Sequence, residues 1–298
     1  MVRQYKIHTN LDGTDDKVWD VTNGKVRFYQ PSNLGLQSTN NIWQSNGIGI
    51  MGTRSITQPQ IEFKLETFGE SLEENYRLMK DFINDILNKK FVTLEYQTEI
   101  FQVYADLALA EVTKTEGYGK NGTFSEKITF DIITKWYTYE NLTFDMIKNG
   151  KVIAGKSKIY GGTAPGSYKY VEGVSYTYYG ETNIERLSRW DIKDEIFSFM
   201  GILYPQLPKT PAGVRFLDDI GNEYTAIVFK TEELQDYILI NTDVNDETYQ
   251  GWKGTTALNL FPVMDFERYR TRIIEKGQME LINLSKAEFK IKRKADFV

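Results

Sequence analysis

Alternation of apolar and polar residues at a period of two restricts this chain more than any motif does. Ile61, Phe63 and Leu65 alternate with Glu62, Lys64 and Glu66; Val92, Leu94 and Tyr96 alternate with Thr93 and Glu95; Ile128, Phe130 and Ile132 repeat the pattern. Successive side chains on a strand point to opposite faces, so each segment reads as a strand with one face in a core and one in water. Phe101, Val103, Ala105, Leu107 and Leu109 make a longer strand, followed by the turn residues Gly117, Gly119, Asn121 and Gly122. Short strands with regular turn signals predict antiparallel sandwiches rather than a parallel sheet.

One segment breaks the pattern. Ser71 and Glu74 form a capping box, and Leu72, Tyr76, Met79, Ile83 and Ile86 recur at helical spacing. A helix is predicted over 71–89, its polar side carrying Glu73, Arg77, Lys80, Asp81, Asn84 and Asp85. After Trp136 and Tyr137 the texture changes again: seven glycines and one proline fall between Gly150 and Gly180. Within this irregular stretch the run Lys148 to Lys151 is a type I′ hairpin signal. Thr182 and Glu185 suit the cap of a short helix reaching Trp190, whereas EIFSFMGILY reads equally as a buried strand. Strands then return in GVRFL, YTAIVFK and DYILI, the last a continuous apolar run expected to be buried on both faces. Ala287, Phe289 and Ile291 close the chain, alternating with Glu288, Lys290 and Lys292.

With 298 residues there is enough chain for two domains of about 150 residues and no need of a metal or disulfide staple. A net charge of −5 gives no bulk attraction to nucleic acid or anionic lipid. The basic run Lys286, Lys290, Lys292, Arg293 and Lys294 reads as the solvated face of a strand. The absence of cysteine removes disulfides, thiol nucleophiles and cysteine metal sites, and a single histidine, His8, removes two-histidine metal sites within one chain. The start MVRQYKIHTN lacks the apolar region of a signal peptide, so synthesis in a cytosol-like compartment is expected.

Candidates for chemistry are weak. The carboxylate pairs Asp15 with Asp16, Asp218 with Asp219 and Glu232 with Glu233 sit in turn-like contexts and read as turn chemistry. Asn241, Asp243 and Asn245 share half the spacing of a calcium loop but lack its glycine and distal glutamate, which favours a plain turn. GIGIMG, from Gly47 to Gly52, lacks the dinucleotide pattern and reads as a loop or a tightly packed strand. His8 reads as hydrogen-bonded or exposed rather than catalytic. No catalytic residue, cofactor or metal is expected. The positive signal is aromatic: Tyr160, Tyr168, Tyr170, Tyr176, Tyr178 and Tyr179 lie in a glycine-rich stretch, and tyrosine is enriched at protein contacts.

The order of parts resembles a known family. A strand-rich first half with one capped helix, a boundary at ITFDIITKWYTYE, the tyrosine-rich YKYVEGVSYTYYG, then DYILINTD, LNLFPVMDFERY and EKGQMELIN are similar to the distal tail proteins (Dit) of siphophages, those of lactococcal phages in particular. The resemblance covers essentially the whole chain. It implies a mainly β fold with two domains: residues 1–137, a β-sandwich-like ring-forming domain with one α-helix, and residues 138–298, a galectin-like β-sandwich with an arm-like extension. It also implies a non-enzymatic hub of the virion's tail-tip baseplate, in which six copies form a ring and a hairpin of the first domain braces the neighbouring subunit. The implied partners are further copies of the chain, the tail tube protein, the tail-tip fibre protein and a receptor-binding protein. No membrane is involved, and DNA passes only through the lumen.

Galectins hold sugar with a histidine, an arginine and a stacking tryptophan. No histidine follows His8 here, so fold would not carry lectin function. The alternative, a module recognising host cell-wall saccharide, would use Trp190, Trp252 or the tyrosine cluster. Residues 138–298 number 161, more than the roughly 100 to 130 of a compact sandwich. The excess is assigned to an arm at about 145–181, with residues 186–209 as the runner-up.

Overall fold

The computed structural model describes residues 3–35, 37–57, 60–114, 123–148, 151–153 and 189–295. The chain divides into two compact units, Met1–Thr138 with Ala295–Val298 and Tyr139–Lys294. Among the described residues the fold is mainly β with a single α-helix.

The first unit contains strands β1 (Gln4–His8), β2 (Val18–Asp20), β3 (Val26–Ser32), β4 (Gln37–Ser45), β5 (Ile48–Thr57), β6 (Ile61–Thr67), β7 (Val92–Gln97), β8 (Gln102–Thr113) and β9 (Ser125–Ile132), with helix α1 (Leu72–Leu87) after β6. Apart from β4 and β5, neighbours pair antiparallel in the order β2-β1-β7-β8-β9-β6-β3. The long strand β8 serves two partners: Gln102 to Leu107 pair with β7, and Leu107 to Thr113 pair with β9. A register shift between Leu109 and Glu111 lies in its second half, where a bulge adds twist and bends the strand. One buried cluster therefore draws Tyr5, Ile7, Leu94 and Ala105 from one end of the sheet and Phe28, Ile61, Phe63 and Phe130 from the other. Tyr5 meets Phe63 edge-on at 5.5 Å. In β6 the expected alternation holds residue by residue. In β7 it does not: Thr93 and Glu95 are buried along with Val92, Leu94 and Tyr96. Their outward face is covered by polar partners, since Thr93 donates to Asp106 and Glu95 holds Lys6 and His8.

Helix α1 starts where the cap predicts, with the Ser71 hydroxyl accepting the Glu74 amide at 3.2 Å. Glu74 reaches back one residue further than a capping box requires, to the amide of Glu70. The buried face overlaps the predicted one at its C-terminal end, where Ile86 is buried and Met79 and Ile83 pack against the core. Leu72 and Tyr76 are exposed, while Phe82 and Ile86 enter the core with Asn75. Phe82 packs edge-on against Trp19 of β2 and Phe28 of β3, at 5.2 and 5.8 Å, so the helix bridges the two ends of the sheet. Asn75 tolerates burial because its side chain accepts the Gly69 amide at 2.6 Å.

The second unit is a two-sheet sandwich. Strand β10 (Tyr137–Lys148) leads into it, followed by β11 (Lys151–Ile153), β12 (Arg189–Ile192), β13 (Ile196–Pro205), β14 (Ala212–Leu217), β15 (Glu223–Phe229), β16 (Tyr237–Asn241), β17 (Thr248–Lys253), β18 (Thr256–Asn259), β19 (Gly277–Ile282) and β20 (Leu284–Lys294). One sheet runs β18-β17-β16-β13-β20-β10 and the other β12-β19-β14-β15. Their inner faces share a core, with Phe199, Ile240 and Phe289 from the first sheet and Val214, Phe216 and Leu281 from the second. Phe199 and Phe216 meet across it at 5.8 Å. The chain changes sheet between β19 and β20 at Asn283, which adopts φ 51°. Asparagine tolerates this left-handed geometry better than most residues. Its buried amide also binds the backbone of Leu207 and Thr210 at 3.0–3.1 Å.

EIFSFMGILY is a strand, most of it within β13. Trp190 lies on strand β12, not on a helix, and Thr182 and Glu185 are outside the described residues. DYILI is buried on one face only: Ile238 and Ile240 point into the core and Leu239 is half-buried on the other side. Within the basic run, Lys292 departs from the solvated reading. It is 4% exposed and its ammonium binds Asp243 at 2.9 Å, because the turn after β16 folds over that end of β20.

Candidate assembly interface

Among the described residues, the β4–β5 hairpin pairs with no other strand. It leaves the β3–β6 ladder, where Ser32 is opposite Glu62, after a register shift between Tyr29 and Ser32. The strands then pair only with each other, from Gln37 opposite Thr57 to Ser45 opposite Ile48. Asn46 and Gly47, with φ of 51° and 78°, form the two-residue tip. Both positive values belong to a type I′ turn, whose twist matches that of the flanking strands.

Every residue of β4, and Ile48 to Ser55 of β5, is exposed. On one side of the ribbon Trp43 is opposite Ile50, with Ile48 two residues along; on the other Ile42 is opposite Met51. Their exposures run from 50% at Met51 to 69% at Ile48. None of them belongs to a core cluster. Arg54 is the ribbon's only charge, and its guanidinium binds Asn40 at 2.9 Å. A bare two-stranded hairpin is marginally stable in water, and contiguous exposed apolar side chains mark an interaction surface. Apolar groups exposed on both sides of the ribbon form such a surface on each side.

The family resemblance implies a bracing hairpin in the first domain without naming its residues; the residues singled out for contact are the tyrosines. Tyr160, Tyr168, Tyr170, Tyr176, Tyr178 and Tyr179 lie outside the described residues, as does most of 145–181. The described part of that stretch is a hairpin in which Lys148 is opposite Lys151, the register of a two-residue loop. GIGIMG is neither a loop nor tightly packed; most of it is an exposed strand. The signal that marks the hairpin is the Asn46-Gly47 dipeptide between apolar alternations. Other candidates resolve into structural roles. Asp218 accepts the amides of Ile220 and Asn222 within a turn. Asp243 accepts the Asn245 amide and Asn241 binds Asp246, a turn held by its own side chains. Glu233 pairs with Lys253. Asp15 pairs with Lys89, while Asp16 and His8 join a buried ion network.

The two tryptophans named for a saccharide platform are both engaged within the chain. Trp252 is stacked on Tyr237 at 5.9 Å, and Trp190 packs against the core. No helix among the described residues is long and apolar enough to cross a membrane.

Comparison with known proteins agrees with the two-unit architecture. Residues 4–133 match the family model of the distal tail protein N-terminal domain, and residues 135–298 that of the Dit C-terminal domain. The distal tail proteins of Lactococcus phages p2 and SK1 are 94% and 92% identical to the chain, each over the full length of both proteins. A chain in the structure of the phage P2 baseplate in its activated conformation with Ca superposes with a TM-score of 0.79 at 94% identity, covering all of both chains. SPP1 Dit shares the fold alone, with a TM-score of 0.53 at 9% identity over 98% of this chain and 99% of that one. The capped helix, the strand order and the closing sandwich therefore have one source: the chain belongs to the distal tail protein (Dit) family.

Proposed function

We propose that six copies of the chain close into a ring through the first unit, and that the second unit is a galectin-like sandwich facing outward with an arm at about 145–181 that grips receptor-binding proteins. The chain is a structural component of a phage tail baseplate, as the full-length match to a baseplate chain requires. The observation that carries the ring is the β4–β5 hairpin, whose apolar residues project on both sides and are 50–69% exposed. A contact of this kind joins two different surfaces of identical subunits, and such head-to-tail contacts give a ring when the rotation closes. In this reading the ring sits between the tail tube protein and the tail-tip fibre protein, leaves a lumen for DNA, and is made in the host cytoplasm before joining the virion. No catalytic step is assigned. The chain has no cysteine, and its lone histidine is spent on a buried ion network.

Light scattering and negative-stain imaging at micromolar concentration test the reading. Six-fold rings with a central hole are expected, with or without the tube and fibre proteins. A chain that stays monomeric in their presence contradicts the ring. Replacing residues 145–181 by a short Gly/Ser linker is expected to leave rings intact and abolish capture of the receptor-binding protein. Capture at full strength by that variant moves the arm elsewhere.

A further inference from the structure

His8 occupies a position that a neutral imidazole cannot fill well. Its Nδ1 lies 2.6 Å from Asp16 Oδ2 and its Nε2 2.9 Å from Glu95 Oε2. A neutral ring carries one N–H and one lone pair, so one of the two carboxylates would face a lone pair; only the imidazolium donates to both. We propose that His8 is a proton-operated latch: as a cation it ties Asp16 to Glu95, fastens the loop Thr9–Lys17 across β1 and β7, and releases that loop when it loses its proton.

The contact is one of several that tie the loop to the sheet and the helix. From the sheet, Lys6 binds the other oxygen of Glu95 at 2.9 Å, so Glu95 is held by one strand through two cations. From the loop, Asp16 also accepts the Asn10 amide at 2.9 Å, and Thr9 and Lys17 bind each other. Lys17 then pairs with Asp85 and Asp15 with Lys89, both at the end of α1. Trp19, two residues beyond Lys17 on β2, donates to Asp85 at 3.0 Å and rests on Phe82. The Asp16–His8 pair thus anchors a segment that runs on into edge strand β2 and the end of the helix.

The other ionisable groups on this face are Asp12 on the loop and Tyr104 and Asp106 on β8, the last hydrogen-bonded to Thr93 and Tyr137. Burial opposes the charge on His8, but its hydrogen bonds to Glu95 and Asp16 and the fields of both carboxylates outweigh it and raise the pKa above the ordinary histidine value. Glu95 is pulled down to about 2, first by its bond from His8, against burial and with help from Lys6. Tyr104 is pushed up to about 12, by burial and then by Glu95 and Asp12. Neither titrates near neutrality. Because the folded value for His8 is raised, its stabilisation is complete below the unfolded pKa of about 6.5 and is lost as pH rises through the folded value.

The chain has one histidine, so a ¹³Cε1-histidine label gives one NMR signal from the full-length protein. That signal is expected to titrate above about 6.5, and Asp16→Asn is expected to lower its midpoint. Amide exchange of residues 9–20 should accelerate through the same pH range by more than the tenfold per pH unit of base catalysis, and Asp16→Asn should bring that step to lower pH. A midpoint at or below 6.5, or one that Asp16→Asn leaves unchanged, overturns the latch. So does exchange that follows base catalysis alone.

Discussion

Replacing Trp43 by alanine should leave the folded subunit intact while loosening its association. The side chain is 68% exposed and belongs to no core cluster, so its loss opens no cavity. A tryptophan can bury up to about 250 Å², of which roughly 170 Å² is free here. Covering that area is worth about 4 kcal/mol at ~25 cal/mol per Å². A partner that covers only one side of the ribbon reaches about half of it, so the loss per contact is about 2 kcal/mol, or roughly 30-fold in the association constant. Every contact in a ring of identical subunits carries the same loss. Sedimentation velocity over a concentration series reads the effect: rings should give way to smaller species at a concentration at least about 30-fold higher than for the parent chain. Thermal unfolding at a concentration where both chains are dissociated should differ by no more than about 2 °C, because a surface change away from the core is nearly neutral. Ile50→Asp, on the same side of the ribbon, should act in the same direction by placing a charge in the contact. Unchanged assembly in both variants would show that the hairpin is not the ring contact. A large drop in subunit stability would show that Trp43 is a folding residue.

The two cores make separate claims. Phe82→Ala removes a fully buried ring that touches Trp19 and Phe28; a loss of about 3–5 kcal/mol in denaturant unfolding is expected, with a weakened near-ultraviolet signal from Trp19. A midpoint within error of the parent would mean that α1 is not seated on the sheet. Asn283→Ala should cost about 3 kcal/mol, from left-handed strain and the stranded backbone groups of Leu207 and Thr210. Asn283→Gly should recover about 1 kcal/mol of that by relieving the strain alone. Equal midpoints for the two variants would mean that φ at this corner does not matter.

What could be read from the sequence was local, and what could not depended on contacts between distant residues. Strand β6 was legible because one face meets a core and the other water, so Ile61, Phe63 and Leu65 keep their period. The start of α1 was legible because Ser71 caps within three residues. Strand β7 misled because the groups that shelter Thr93 and Glu95 include Lys6 and His8, nearly ninety residues away. On α1 the periodicity holds at Met79, Ile83 and Ile86 but fails in the first turns, where Leu72 and Tyr76 are exposed and burial goes to Asn75, whose amide is satisfied by Gly69. The β4–β5 hairpin is not singled out by its residues, although Asn46-Gly47 is a two-residue turn signal; only the family resemblance implies a bracing hairpin in the first domain. Exposed apolar alternation looks like buried alternation until the rest of the fold shows that no surface is left to cover it.

The distant relative separates what builds this fold from what particularises it. SPP1 Dit shares the backbone arrangement at 9% identity, so few individual side chains can be required for it. What two such sequences can hold in common is the period of two that sends one face of each strand inward, together with turns that fix register. Side chains that act in pairs at a set distance need both partners present, and that kind of correlation is the first to be lost at such divergence. The His8 network needs Asp16 and Glu95 at once, and the Asn283 corner needs a side-chain amide between two carbonyls. The hairpin is less demanding. It needs apolar area on a ribbon and nearly no charge, a condition that many residues meet, with Arg54 drawn aside by Asn40. Association through such a surface would rest on area rather than on matched ions, and so would depend little on ionic strength.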